Sequence, residues 1–277
     1  MDWLTKNKIP VGAWANSVFD WMKHNLSAVF DAISWFLEHL IGGILWLLQA
    51  PPALLIVAIF VALSWLLQKN WKISLGVTLG LLFIINQGYW KETTESLTLI
   101  LASCVVCMGL GVPIGIAAAH RPRLYSALSP VLDLMQTLPT FVYLIPAIVF
   151  FGTGLVPGLI ATVIFVLPAP IRLTHLGVSS TPTALTEAAT AFGATPSQKL
   201  WKVELPWAQP QIMAGLNQTI MLSLSMVVIS SMVGAKGLGN PVLRALANVD
   251  PAKGFESGFV IVVVAIVLDR MLQRGAK

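Results

Sequence analysis

Apolar residues recur at helical spacing along most of the chain, and polar positions mark where the helices stop. Between residues 26 and 48 the apolar positions are Leu26, Val29, Phe30, Ile33, Leu37, Leu40, Ile41, Ile44, Leu45 and Leu48. Asp31, Ser34 and Glu38 line another face of the same helix. A charged stripe is costly in hydrocarbon, so this helix is expected to lie in the membrane interface. The alternative is a span with Asp31 and Glu38 turned inward. Ala50-Pro51-Pro52 breaks it. Residues 53–68 and 73–90 then read as two membrane helices joined by the basic turn Lys69-Asn70-Trp71-Lys72. Five more are predicted at about 94–119, 127–151, 155–175, 210–235 and 257–272. The expected fold is an all-α polytopic membrane protein with about seven membrane helices plus an N-terminal amphipathic helix.

The last five helices are rich in small and helix-breaking residues. Gly111-x-x-x-Gly115 and Gly154-x-x-x-Gly158 allow close backbone approach. Pro139, Pro146, Pro168 and Pro170 are expected to kink or break helices where neighbours satisfy the freed carbonyls. "GLGVPIG" at 109–115 lacks the spacing and the preceding strand of a dinucleotide loop.

Composition supports the membrane reading. The 277 residues are 56% hydrophobic and 10% charged, where a soluble domain carries roughly 25% charged residues. The net charge of +5 comes from residues scattered singly between apolar runs. No Lys/Arg cluster is interleaved with aromatics, so a nucleic-acid partner is not supported. Of the 17 Lys and Arg, ten fall on one side of the predicted helices and seven on the other. That bias places the loop near residues 176–209 and the C-terminus in the cytoplasm, and the N-terminus outside. Eight of the ten tryptophans lie at or before Trp90, mostly near helix ends, as interfacial anchors do. Cys104 and Cys107 have no His or further Cys nearby to complete a zinc shell and read as small packing residues. The first ten residues lack the apolar core of a signal peptide, so insertion is expected to use the membrane segments themselves.

One polar stretch interrupts the apolar pattern: "EAATAFGATPSQKLWKVELP", residues 187–206. Upstream, Thr181 is placed to cap a helix with Pro182 at its first position. Leu185, Ala188, Ala189 and Phe192 form one apolar face, and Gly193 is where that helix should stop. Thr195 then caps a second helix, with Pro196 at its first position and Gln198 completing a T-x-x-Q capping box. Pro206 is expected to end it. Two short capped helices with a glycine corner are ordered, and such a pair is suited to dock in a groove on another protein.

Glu187, Ala188, Ala189, Gly193, Val203, Leu205 and Pro206 form the pattern E-A-A, three residues, Gly, nine residues, an aliphatic, one residue, Leu-Pro. This resembles the EAA loop of ABC-importer permeases, with Val203 where the family often has Ile. "LDLMQTLPTFVYLIP", the stretch from Ala189 to Gly239 and "AIVLDR" look like the betaine and choline importers of the ProU and OpuA type. The resemblance covers about residues 90–272. It implies the MetI-like transmembrane domain of a type I ABC importer over 93–274, with a cytoplasmic coupling loop at about 176–209. Residues 1–50 would then be a tail with the amphipathic helix, and 51–92 two accessory helices.

The resemblance further implies a permease homodimer in a bacterial inner membrane, two ABC ATPase subunits beneath it, and an extracytoplasmic substrate-binding protein. The substrate class would be glycine betaine and proline betaine, with choline or carnitine as the alternative. No G-x-x-x-x-G-K-[ST] occurs in the chain, so ATP and Mg²⁺ are expected to belong to the partner and no cofactor to this chain. The last predicted helix is soon followed by the end of the chain, so the binding protein is expected to be separate. The loop residues implied to make the ATPase contact are Glu187, Ala188, Ala189, Phe192, Gly193, Ala194, Thr195, Leu205 and Pro206. Another reading makes Glu187 a first-turn charge that complements the helix dipole.

Met135, Gln136, Thr137 and Tyr143 near the Pro139 break, with Ser223 and Ser225, are candidates to line the transport path. The same hydroxyls serve equally well as interhelical hydrogen bonds. An intramembrane enzyme would need a dyad assembled in space, because none of the four histidines has a Ser or Cys partner in sequence. An ion-coupled carrier would rely on Asp133 or Asp269.

Overall fold

The computed structural model describes residues 10–272, and every regular element among them is helical. Lys6, Lys8, Arg274 and Lys277, used above to orient the chain, lie outside the described residues, as do the two chain ends. The helices run α1 Val11–Asn25, α2 Ser27–Gln49, α3 Ala53–Gln68, α4 Trp71–Asn86, α5 Trp90–His120, α6 Pro122–Thr137 and α7 Thr140–Phe151. They continue as α8 Leu155–Val166, α9 Pro168–Ser179, α10 Thr183–Ala191, α11 Pro196–Lys199, a π turn Leu200–Glu204, α12 Leu205–Ser231, α13 Gly239–Ala247 and α14 Pro251–Leu272.

Four helices, or five with one bent pair, are long and apolar enough to cross a membrane among the described residues, rather than seven. They are α2, α5, the continuous α8–α9 rod Leu155–Ser179, and the rod Pro196–Ser231 that carries α11, the π turn and α12. Length explains part of the difference. α3 and α4 have 16 residues each, about 24 Å at ~1.5 Å per residue, against ~30 Å of hydrocarbon. The expected helix at 127–151 is two helices, α6 and α7, bent by 97°. Leu138 is extended ahead of Pro139 there, as the residue before a proline prefers. In α14, Asp269 and Arg270 close the apolar run that begins after Glu256. The helix expected to lie in the interface, α2, is among the four by length and composition; Leu37, Ile41 and Leu48 make its buried face.

The centre of the molecule is a three-helix meeting of α5, α9 and α12. Glycine makes it possible. A Cβ added at Gly111 would sit 2.8 Å from the Pro170 ring, and one at Gly115 would sit 2.7 Å from both the Ile171 carbonyl oxygen and Thr174 Cβ. Gly177 of α9 meets Ala208 of α12 in the same way, at 3.0 Å. The helix faces therefore touch backbone to backbone, the packing that small residues permit in membranes. Around this seam Leu97, Leu99 and Ile100 of α5 pack with Leu159 of α8, Leu224 and Val227 of α12, and Val260 and Val264 of α14. A smaller cluster joins Tyr143, Leu144 and Ala147 of α7 to Ala161 and Met226. Cys104 and Cys107 are buried in α5, with Cys107 Sγ 3.9 Å from the Val163 carbonyl oxygen. Large apolar side chains such as Trp46, Leu54, Leu66 and Ile266 face outward, as a lipid solvent allows.

Hydrogen bonds tie the two ends of the bundle. At one end the Gly154 N–H donates to the Val233 carbonyl (2.9 Å), and the Leu238 N–H donates to Ser96 Oγ (2.8 Å). At the other, His120 and Glu204 join α5 to the π turn.

Candidate coupling site and membrane path

The polar segment folds as two short helices around a corner. α10 starts at Thr183, and Pro182, not Thr181, precedes its first residue. Thr181 makes no cap: it lies one residue outside the N-cap position, and its hydroxyl is buried without a hydrogen-bond partner. With that start, Glu187 is the fifth helical residue, beyond the first turn where a charge favours the helix dipole. α10 ends in a double hydrogen bond, Gly193 N–H to the Thr190 carbonyl (2.9 Å) and Ala194 N–H to the Ala189 carbonyl (3.0 Å). This Schellman geometry needs a left-handed residue at its corner, and Gly193 supplies it with φ +76°.

The second helix starts as its capping box requires. Thr195 Oγ1 accepts from the Gln198 N–H (3.3 Å), and Gln198 Oε1 accepts from the Thr195 N–H (2.9 Å). It does not end at Pro206. A π turn over Leu200–Glu204 carries the backbone into α12, and Pro206 sits in the first turn of α12. A proline is tolerated there because the widened turn leaves no i→i−4 bond for its missing N–H to break.

None of the α10 residues is buried. Phe192 projects at the corner and is 92% exposed. Glu187 and Ala188 are exposed beside it, Ala189 and Ala194 half-buried. A shallow cleft between the two helices is lined by Thr186, Glu187, Thr190, Ala191 and Lys199. At the exit of the segment Leu205 is half-buried and Pro206 exposed.

The proposed path residues lie apart from this corner. Tyr143 is buried, and its hydroxyl donates to the Met135 and Leu134 carbonyls, closing the α6–α7 bend. Thr137 Oγ1 donates to the Leu134 carbonyl (3.4 Å). Gln136 Oε1 accepts from Arg172 Nη1 (3.2 Å), and Arg172 Nη2 contacts Asp133 Oδ1 at 2.5 Å. Asp133 is therefore paired with a cation. Ser223 is fully buried, bonded to the Thr219 carbonyl (2.7 Å) and to Ser103 Oγ of α5 (2.6 Å). Ser225 is exposed, two positions away on another face of α12.

Two features escaped the sequence. His120 and Glu204 are 84 positions apart, and nothing in either local pattern pairs them. Arg172 and Asp133 are 39 apart, on α9 and α6, and the 97° α6–α7 bend lies between them in the chain. The one available signal was Glu204 itself, a carboxylate directly ahead of the apolar Leu205.

The description "binding-protein-dependent transport system inner membrane component" matches residues 111–273. The glycine betaine/carnitine transport permease protein GbuB of Listeria monocytogenes is 44% identical over 96% of this chain and 95% of its own length. The glycine betaine/proline betaine transport system permease protein ProW of Escherichia coli is 40% identical over 99% of this chain and 77% of its own. Among solved structures, an inward-facing MetNI methionine ABC transporter superposes with TM-score 0.56 at 25% identity, covering 65% of this chain and 92% of that one. The chain belongs to the family of inner membrane components of binding-protein-dependent transport systems.

Proposed function

We propose that this chain is the permease subunit of an ATP-driven importer for glycine betaine and proline betaine, working as a homodimer with two ATPase subunits and an extracytoplasmic binding protein. The observation that carries the reading is the corner at Phe192 and Gly193. An almost fully exposed aromatic stands on the hydrogen-bonded turn that closes one helix, just ahead of the capping box that opens the next, beside a cleft that holds Glu187 and Lys199. Such a corner is stiff enough to transmit force, and Leu185 and Phe192 of its apolar face are left exposed. The substrate follows the named substrates of the 44% and 40% identical relatives. Choline and carnitine are the competing substrates of the same class.

In this reading the corner lies in the cytoplasm, with the C-terminus, and the N-terminus lies outside. Glu187, Ala188, Ala189, Phe192, Gly193, Ala194 and Thr195 meet the ATPase; Leu205 and Pro206 begin α12, which carries its motion inward. ATP and Mg²⁺ stay with the ATPase. The solute passes along the open face of α12 at Ser225 and past Met135, Gln136, Thr137 and Tyr143, while Ser223 holds α12 to α5 alongside. A zwitterion needs no strong charge on its way, and the pairing of Asp133 with Arg172 removes one of the acids an ion-coupled carrier would use.

The test is uptake of labelled glycine betaine by proteoliposomes holding this chain, its ATPase and its binding protein, with proline betaine, choline and carnitine competing. ATP-dependent uptake displaced best by proline betaine is expected. Uptake that ignores ATP and collapses with an uncoupler would refute the reading.

A further inference from the structure

Beyond the exposed corner, the segment leaves through a buried charge. Glu204 is the last residue of the π turn and is 5% exposed. Its carboxylate oxygen accepts a 2.7 Å hydrogen bond from His120 Nε2. His120 is the last residue of α5. A buried carboxylate is retained only where a partner holds it, and removing the partner leaves an uncompensated charge.

The position of this pair matters more than its strength. Glu204 is joined covalently to α12, which starts at the next residue. Through His120 it holds the end of α5. Four residues on, Ala208 is fully buried against Gly177 of α9, with 3.0 Å between Ala208 Cβ and a Cβ placed on that glycine. α5 and α9 are themselves meshed at Gly111 and Gly115. All three central helices therefore converge within about one helical turn of Glu204. π turns are rare and are frequently found at functional sites.

We propose that Glu204 and His120 are positioning residues that form the joint through which the coupling segment moves α5 together with α12. The proposal rests on the ATPase-coupled reading above. Motion of α10 and α11 reaches α12 along the backbone. It reaches α5 through the packed seam and the Ser103–Ser223 bond deeper in the bundle, and at the cytoplasmic end through this hydrogen bond. Without it the cytoplasmic end of α5 would lag behind the start of α12, so ATP would be spent without opening the path in step.

The experiment measures ATP hydrolysed per labelled glycine betaine imported, in proteoliposomes with the ATPase and binding protein. A hydrogen bond to a charged group shifts an equilibrium by about tenfold or more. Glu204→Ala and His120→Ala should therefore raise the ratio about tenfold, while the ATPase subunit copurifies in undiminished amount. Glu204→Gln keeps an acceptor for His120 and should hold the ratio near that of the parent chain. The doubly substituted His120→Leu/Glu204→Leu chain leaves no buried charge and keeps the packing, so it guards against simple misfolding; it too should be uncoupled. A parental ratio in the alanine variants, or its recovery in the leucine pair, overturns the joint. So does loss of the ATPase subunit from the alanine variants, which would make this a docking defect. If the parent chain imports betaine without ATP, the coupled reading fails first and the joint with it.

Discussion

Gly115 and Ile171 stand so close that a Cβ on the glycine would lie 2.7 Å from the isoleucine carbonyl oxygen. The obstacle is backbone, which cannot rotate aside as a flexible side chain would. Gly115→Ala should destabilise the bundle by roughly 1–3 kcal/mol, the usual cost of overpacking. Gly109→Ala on the same helix, where nothing lies within 4 Å, should not lower stability and should raise it by up to about 1 kcal/mol. Thermal unfolding of the purified chains in detergent compares the two.

Gly193 poses the opposite case, open space but a left-handed backbone. A β-branched side chain there costs on the order of 1–2 kcal/mol in backbone strain. Gly193→Val should lose ATP-dependent betaine uptake while membrane insertion stays intact, and Gly193→Asn should retain most of it. Normal uptake by the valine variant would remove the corner from the coupling route.

Phe192 can be separated from folding because it touches so little of its own chain. Phe192→Ala should shift stability by less than about 0.5 kcal/mol, as surface changes do, yet reduce copurification of the ATPase subunit. An unchanged yield of the complex would mean that the partner sits elsewhere.

The Arg172–Asp133 pair is short but open to solvent, with the Asp133 side chain 64% exposed. A double-mutant cycle with Arg172→Gln and Asp133→Asn should return a coupling of roughly 0–1 kcal/mol. It should shrink further in high salt. A value well above that range would make the pair a structural lock between α6 and α9.

Ser223 and Ser225 should part company. Ser223→Ala removes a buried interhelical hydrogen bond and should cost about 1 kcal/mol of stability, with the KM for betaine unchanged. Ser225→Ala should leave stability alone and change KM. The reverse pattern would exchange their roles.

Local grammar was the legible part. The Thr195–Gln198 box and the Gly193 corner need only neighbours within five residues, so the sequence displays them in full. Gly111 and Gly115 announced a close approach but not its partner, since a glycine says that something fits and not what. Pro206 misled for a related reason: a proline ends a helix only if the i→i−4 bond is at stake, and the preceding π turn had already set that bond aside. The span count failed because hydropathy does not see a 97° bend, nor how far 16 residues reach. Thr181 failed because its N-cap role depends on where the helix starts, one residue past Pro182.

The run from Pro196 to Ser231 is one unbroken helical body of 36 residues, about 54 Å long at ~1.5 Å per residue. It crosses α9 near its middle, where Ala208 and Gly215 rest against Gly177 and Pro170. It is held at its far end as well, where Ser230 Oγ donates to the Gly158 carbonyl of α8 at 3.3 Å. In the coupled reading proposed above, a push at the Thr195 end would therefore be delivered to α8 about 50 Å away through one continuous helical body.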